Sequence, residues 1–73
     1  MRITYDSQAD ALYIQFQEGQ FAHNREVEPG VVLDLGQKGE LLGIEILDAG
    51  ARLGIADIAK VSIEIPLNIT RAA

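Results

Sequence analysis

The chain contains no cysteine and no tryptophan, and it has one histidine and two prolines. The absence of cysteine excludes disulfides, thiol catalysis and cysteine-ligated zinc sites. A single imidazole, that of His23, provides no histidine cluster and no firm basis for a Ser–His–Asp arrangement. We therefore predict no catalytic residue and keep His23 only as a candidate general base.

Positive charge is also scarce, with six lysine and arginine residues against eleven acidic ones and a net charge of −5. The basic residues are scattered, whereas a phosphate backbone is bound through clustered ones, so nucleic-acid binding is not expected. No apolar run is long enough to cross a bilayer, and the first residues lack the apolar core of a signal peptide. These features predict a cytoplasmic protein with no membrane partner.

The length, 73 residues, allows a single small domain, which we predict to span residues 1–73. A chain of this size buries only about 60–65% of the surface that its unfolded form exposes. Its residues are nevertheless 48% hydrophobic. The excess of apolar residues over what a small interior can hold favours a homo-oligomer, most simply a homodimer. No cofactor is indicated.

Alternation of apolar and polar residues predicts the strands. Glu18-Gly19 is suited to a two-residue turn, which would pair the second strand with the third and place Phe16 opposite Phe21. The third strand is the least patterned and ends at Pro29. The strand candidates outside the central hairpin are Arg2–Tyr5, Ala11–Gln17, Phe21–Glu28 and Val61–Ile65.

The segment Val31–Leu47 predicts a β-hairpin around Gly36–Gly39. A loop of two or four residues would place Leu33 opposite Leu42 and Val31 opposite Ile44. Opposed residues share a face of the sheet, so this register gives one apolar face and one mixed face. The predicted apolar face consists of Val31, Leu33, Leu35, Leu42, Ile44 and Ile46.

A helical segment is predicted after the hairpin. Asp48 is a candidate N-cap, since a carboxylate there can accept hydrogen bonds from the first helical amides. Gly50 and Gly54 weaken the helix, so residues 49–59 form either one helix or two short turns, and we favour a broken segment. The fold class is therefore α+β and mostly β, an antiparallel meander sheet of about five or six strands with one short helix before the last strand. Asn68–Ala73 is predicted to be frayed.

Separated motifs link the chain to a known family. They are Ile3–Asp6, Ala9–Ile14, Gly30–Asp34, Gly39 and Gly43–Ala49. In this order, and over roughly residues 2–53, they resemble the small and mostly bacterial proteins catalogued as the domain of unknown function 2283. The resemblance implies a small β-rich cytoplasmic protein without an established activity. Some members are encoded beside ribonuclease-type toxins, so it also implies an antitoxin-like partner of a small toxin.

The mixed face of the hairpin gives the main functional hypothesis. Acidic residues alternate there with large apolar ones, and such a surface is typical of a protein interface or of a face covered by another element. We therefore predict a protein-interaction module that binds a second copy or another small protein. The predicted interface residues are Val32, Asp34, Leu41, Glu45 and Leu47.

The alternative is a small enzyme or a ligand- or metal-binding domain with a pocket formed between protomers. Asp6 and Asp10 could hold a hard cation through their carboxylates, although two carboxylates are few for such a site and both residue types are common in turns. His23 and Tyr13 would have to converge with them. The glycines form no phosphate-binding loop.

Overall fold

The structure, a computed structural model, describes residues 1–66, and the predicted frayed end lies outside these residues. It confirms the fold class, since five antiparallel strands form one sheet and are followed by short helices. Neither helix in this part of the chain has the length and apolar character needed to cross a membrane. The elements are β1 (Arg2–Asp6), β2 (Ala11–Gln15), β3 (Phe21–Glu28), β4 (Val31–Gly36), β5 (Leu41–Leu47), α1 (Ala49–Leu53) and α2 (Ile55–Ile58).

The strand order is β1-β2-β5-β4-β3, so the sheet is not a simple meander. The second strand pairs with β5 rather than with β3, and the predicted pairing of Phe16 with Phe21 is wrong. In the observed register Ile14 lies opposite Ile44 and Leu12 opposite Ile46. This pairing places two apolar strands together in the middle of the sheet, whereas the polar strand β3 takes an edge.

The turn of the central hairpin contains three residues, 37–39. The amide of Gly39 donates to the carbonyl of Gly36 at 3.0 Å, and the amide of Gly36 donates to the carbonyl of Glu40 at 2.9 Å. Gly39 has a φ of 81°, which glycine adopts without steric cost and which suits the last position of a three-residue hairpin loop. The predicted loops of two or four residues are therefore wrong, and the register beside the turn differs from the prediction by one residue.

A bulge on β5 shifts the register by one further residue. Leu42 is the extra residue, because neighbouring residues of β4 pair with Leu41 and Gly43 on either side of it. Beyond the bulge Val31 lies opposite Ile46, two residues from its predicted partner. Since side chains alternate with period two, a shift of two leaves the same residues on each face. The grouping of the apolar residues is confirmed even though their register is not.

The buried core is small. Among residues 1–66 the buried apolar residues are Leu12, Leu35, Leu42 and Ala49, and no side chain larger than that of alanine is completely buried. The remaining apolar residues on this side of the sheet are half-buried. The core therefore lies where β2, β5 and β4 adjoin the start of α1.

The helical segment is broken, as predicted, because Gly54 takes a φ of 86° between α1 and α2. The predicted last strand is wrong: within the described chain, residues 61–66 join no ladder. Alternation in Val61–Ile65 is strong, but a strand also needs a neighbour to satisfy its backbone groups. No such neighbour pairs with this segment among residues 1–66 of the protomer.

Candidate functional site

The structure brings part of the predicted interface together. Val32 lies opposite Glu45, and Asp34 lies opposite Gly43, so these residues share the mixed face of the sheet. The predicted register, which also paired Val32 with Gly43 and Asp34 with Leu41, is wrong here because the three-residue loop and the bulge each shift it by one residue.

The two predicted interface leucines lie at opposite ends of β5. Leu41 lies beyond the bulge, opposite Leu35 of the apolar face, so the prediction that it shares the mixed face with Asp34 is wrong. Leu47 pairs with Ala11 at the other end of the strand. Each is 39% exposed. Six residue-to-residue steps of strand separate them by about 20 Å. The predicted patch is therefore not one continuous apolar surface.

Tyr13 crosses the middle of the mixed face. Its side chain passes over Gly43, and its hydroxyl donates a hydrogen bond of 3.0 Å to Oδ2 of Asp34. A Cβ on Gly43 would lie 2.3 Å from the Tyr13 hydroxyl and 2.8 Å from the carbonyl oxygen of Ile14. Only glycine allows this approach, and a glycine inside a strand pattern is a recognised sign of one. Three strands, β2, β5 and β4, are thus tied together by one side chain.

The same contact sets the ionisation of Tyr13. Partial burial raises the pKa of the phenol, and the hydrogen bond to Asp34 and the charges of Asp34 and Glu45 act in the same direction. A phenol next to carboxylates loses its proton less readily because the resulting anion is repelled. At neutral pH the Tyr13 hydroxyl therefore keeps its proton and acts as a hydrogen-bond donor, not as a general base.

Asp10, one of the two candidate metal ligands, joins the first turn to the first helix. Its Oδ1 accepts hydrogen bonds from the hydroxyl of Tyr5 at 2.6 Å and from the amide of Gly50 at 2.8 Å. Its carbonyl accepts from the amide of Ala49 at 3.0 Å. The hydrogen bond to Asp10 also raises the pKa of Tyr5.

The predicted helix cap is therefore wrong. Asp48 takes a left-handed conformation with a φ of 53° and makes no side-chain capping hydrogen bond. The acceptor for the helix amides comes instead from Asp10, forty residues earlier in the chain. A long-range contact of this kind leaves no mark in the local sequence, so the N-cap pattern at Asp48 was misleading.

Asp6, the other candidate ligand, acts within its own turn. Its Oδ1 accepts from the amides of Gln8 at 3.0 Å and Ala9 at 3.3 Å, the contact by which aspartate commonly stabilises turns. Among the described residues no three acidic or histidine side chains are grouped as metal ligands would be. The two carboxylates thus have structural roles.

His23 lies far from these carboxylates. It is exposed on the edge strand β3, where it pairs with Leu35. Three strand spacings of about 4.8 Å separate β3 from β2, so about 14 Å lies between His23 and the strand of Tyr13. Within one protomer the proposed catalytic group does not assemble. A pocket shared between protomers stays a prediction.

Arg52 is a structural residue that the sequence did not indicate. Its Nη1 forms a 2.9 Å ion pair with Oε2 of Glu28, Nη2 donates to the carbonyl of Pro29, and Nε donates at 3.0 Å to the carbonyl of Leu47. It thereby fixes α1 to the turn between β3 and β4. Its role depends on a turn more than twenty residues away, which no local pattern predicts.

The described chain after β5, residues 48–66, carries five of the ten large exposed apolar residues found among residues 1–66. A cleft of about 360 Å³ lies between the β1–β2 side of the sheet and the C-terminal segment, with Ile3 and Leu12 on one side and Ile58 and Val61 on the other. Beyond the cleft, several large side chains project into solvent. The exposed apolar residues after β5 are Leu53, Ile55, Val61, Ile63 and Ile65.

These features define a small, mostly β protein. Its polar residues make hydrogen bonds across the sheet, from Tyr13 to Asp34, and between the sheet and α1, from the Gly50 amide to Asp10. The chain belongs to the family described as "Protein of unknown function (DUF2283)", whose model matches residues 2–49. This match covers all five strands and the first residue of α1. Comparisons with curated proteins and with solved structures gave no significant match.

Proposed function

We propose that this protein is a self-associating interaction module and that the apolar surface after β5 binds a second copy. A small monomer has little interior, and apolar surface left over after folding is commonly covered by a partner. The proposal rests on one observation, the contrast between a four-residue buried core and the exposed residues that follow β5.

The position of these exposed residues supports association rather than a random excess. Val61, Ile63 and Ile65 occupy alternate positions and are 57%, 60% and 61% exposed. Two further exposed residues, Leu53 and Ile55, lie within the same stretch of thirteen residues. Single exposed apolar residues are normal on a protein surface, whereas a continuous group of them marks an interaction site.

Sedimentation velocity between about 1 and 500 µM tests this proposal. We expect a concentration-dependent dimer. Burying an isoleucine contributes about 1.5–3 kcal/mol, so Ile63→Lys is expected to raise the dissociation constant by at least about tenfold. Val27→Lys is the matched control, because Val27 is 59% exposed but lies on β3. A wild-type protein that stays monomeric at the highest concentration contradicts the proposal.

The mixed face is a second candidate surface, for a basic protein such as the small toxin that the family resemblance implies. Glu45 is half-buried beside Val32, and no lysine or arginine among residues 1–66 forms an ion pair with it. Charge complementarity at an interface mainly governs the association rate and specificity. Co-purification with the product of the adjacent gene tests this role. Glu45→Lys should abolish the complex, and Glu18→Lys, at an exposed position outside this face, should leave it intact.

A further inference from the structure

The two edges of the sheet differ in how open they are to another strand. The outer strand β3 carries two register irregularities, at Ala22 and Val27, and a row of charged residues. Bulges and charges of this kind are the usual means of blocking an edge. The other edge strand, β1, pairs with β2 in an unbroken register over all five residues. The β1 edge is therefore the one that can accept a further strand.

The C-terminal segment has the properties of that missing strand. Residues 61–65 alternate strictly between β-branched apolar residues and the polar residues Ser62 and Glu64, and Pro66 ends the run. All are exposed, and in the described chain none joins a ladder. Together with Lys60, the segment is long enough to pair with all five residues of β1.

One antiparallel register between this segment and β1 makes every cross-strand pair favourable. On β1, Ile3 and Tyr5 are half-buried and the other three residues are exposed, which matches the alternation of the segment. The pairs belong to the classes that stabilise sheets, namely opposite charges, hydroxyl pairs and contacts of aromatic or aliphatic with β-branched side chains. They are Arg2 with Glu64, Ile3 with Ile63, Thr4 with Ser62, Tyr5 with Val61, and Asp6 with Lys60.

The neighbouring registers are poorer. A shift of two residues in one direction places Pro66 opposite Arg2, and proline cannot donate to the ladder. A shift of two in the other direction leaves Tyr5 opposite Ala59, the C-cap of α2. A shift of one residue would turn the apolar side chains of the segment to the polar face.

We propose that residues 60–65 of one copy form a sixth strand on the β1 edge of a second copy, and that the exchange is reciprocal. This inference rests on the proposed self-association and names the element that mediates it. In the protomer Val61 and Ser62 line the same cleft as Ile3, yet the segment does not pair with β1. A two-fold exchange covers both β1 edges and both apolar segments at once, which is the closed arrangement expected of a symmetric dimer.

The natural absence of cysteine allows a direct test by disulfide trapping. Thr4→Cys and Ser62→Cys are prepared as separate variants, both at exposed positions, mixed, and oxidised. Directly opposed residues on antiparallel strands have Cα atoms about 4.5–5.5 Å apart, within disulfide range. The matched control mixes Thr4→Cys with Glu64→Cys, which in this register is a diagonal pair about 7–8 Å apart. Circular dichroism confirms that each variant is folded.

We expect a disulfide-linked heterodimer from the Thr4/Ser62 mixture, formed about tenfold faster than from the control mixture. Sedimentation of the reduced variants reports self-association separately. Dimers that give no Thr4–Ser62 link would overturn strand exchange and leave the proposed function intact. Monomers at every concentration would overturn both. A Thr4→Cys/Ser62→Cys double variant that closes only within one chain would show that the segment pairs with its own β1 and would also overturn the exchange.

Discussion

Replacing Gly43 by alanine tests the central contact of the mixed face. In an unobstructed strand this change would stabilise the protein by about 0.5–1 kcal/mol, because glycine loses more backbone entropy on folding. Here the new methyl would lie 2.3 Å from the Tyr13 hydroxyl and 2.8 Å from the Ile14 carbonyl oxygen. The sign of the effect should therefore reverse.

The expected loss has two parts. Displacing Tyr13 breaks its hydrogen bond to the Asp34 carboxylate, worth about 1.5–3 kcal/mol for a charged acceptor. Overpacking against the β2 backbone adds about 1–3 kcal/mol. Less the entropy gain, Gly43→Ala should thus lower the free energy of unfolding by about 2–5 kcal/mol, a large share of the stability of so small a protein.

Urea denaturation followed by circular dichroism measures the loss. Tyr13→Phe should remove only the hydrogen-bond part. In a Tyr13→Ala background Gly43→Ala should cost less, leaving only the clash with the backbone, so the double-mutant cycle should show coupling above about 1 kcal/mol. Gly39→Ala is the control, because Gly39 has open space but a left-handed conformation, and it should cost about 1–2 kcal/mol. A neutral or stabilising Gly43→Ala would refute the packing argument.

Three further predictions concern the turns and the tyrosines. Asp10→Ala should lower stability in urea melts by about 1–3 kcal/mol more than Asp48→Ala, since it removes two hydrogen bonds, while both residues are left-handed and share the backbone cost of alanine there. An equal loss for both would mean that Asp48 is the cap after all. Arg52→Met should increase hydrogen exchange of the backbone amides both in the β3–β4 turn and at the start of α1. An increase at only one of these two places would contradict the role of Arg52 in fixing α1 to the turn. The pKa values of Tyr5 and Tyr13 are raised, so their contribution to stability is complete below about pH 10 and is lost as the pH rises further. The fall in the urea midpoint above that pH should be smaller in Tyr13→Phe, and an unchanged pH profile would argue against the Asp34 contact.

The faces of the central hairpin could be predicted from the sequence because alternation survives a register shift of two residues. The register itself could not be predicted. Leu42 does not differ in type from an ordinary strand residue, and the glycine pattern around Gly39 fits loops of more than one length. The low patterning of residues 21–28 did correspond to an edge strand.

The errors share one physical cause. Strand order, the acceptor at the helix start and the Arg52 contacts all join residues that are distant in the chain, and local propensity carries no information about them. Asp48 has a typical capping composition, yet Asp10 supplies the carboxylate. The predicted strand at residues 61–65 failed for the same reason, because alternation identifies a segment that can pair but not the strand that pairs with it.

The extra residue at Leu42 and the three-residue loop constrain how the hairpin can change in length. Each displaces the pairing by one position, and together they keep the apolar side chains of β4 and β5 on the same side of the sheet. Because Leu42 is the extra residue, its deletion would leave every other pair of β4 and β5 in place, whereas a deletion within the regular ladder would turn one strand's apolar set toward the polar side. Single-residue changes in length should therefore be tolerated at the bulge and in the loop, and selected against between Val31 and Asp34 and between Gly43 and Ile46.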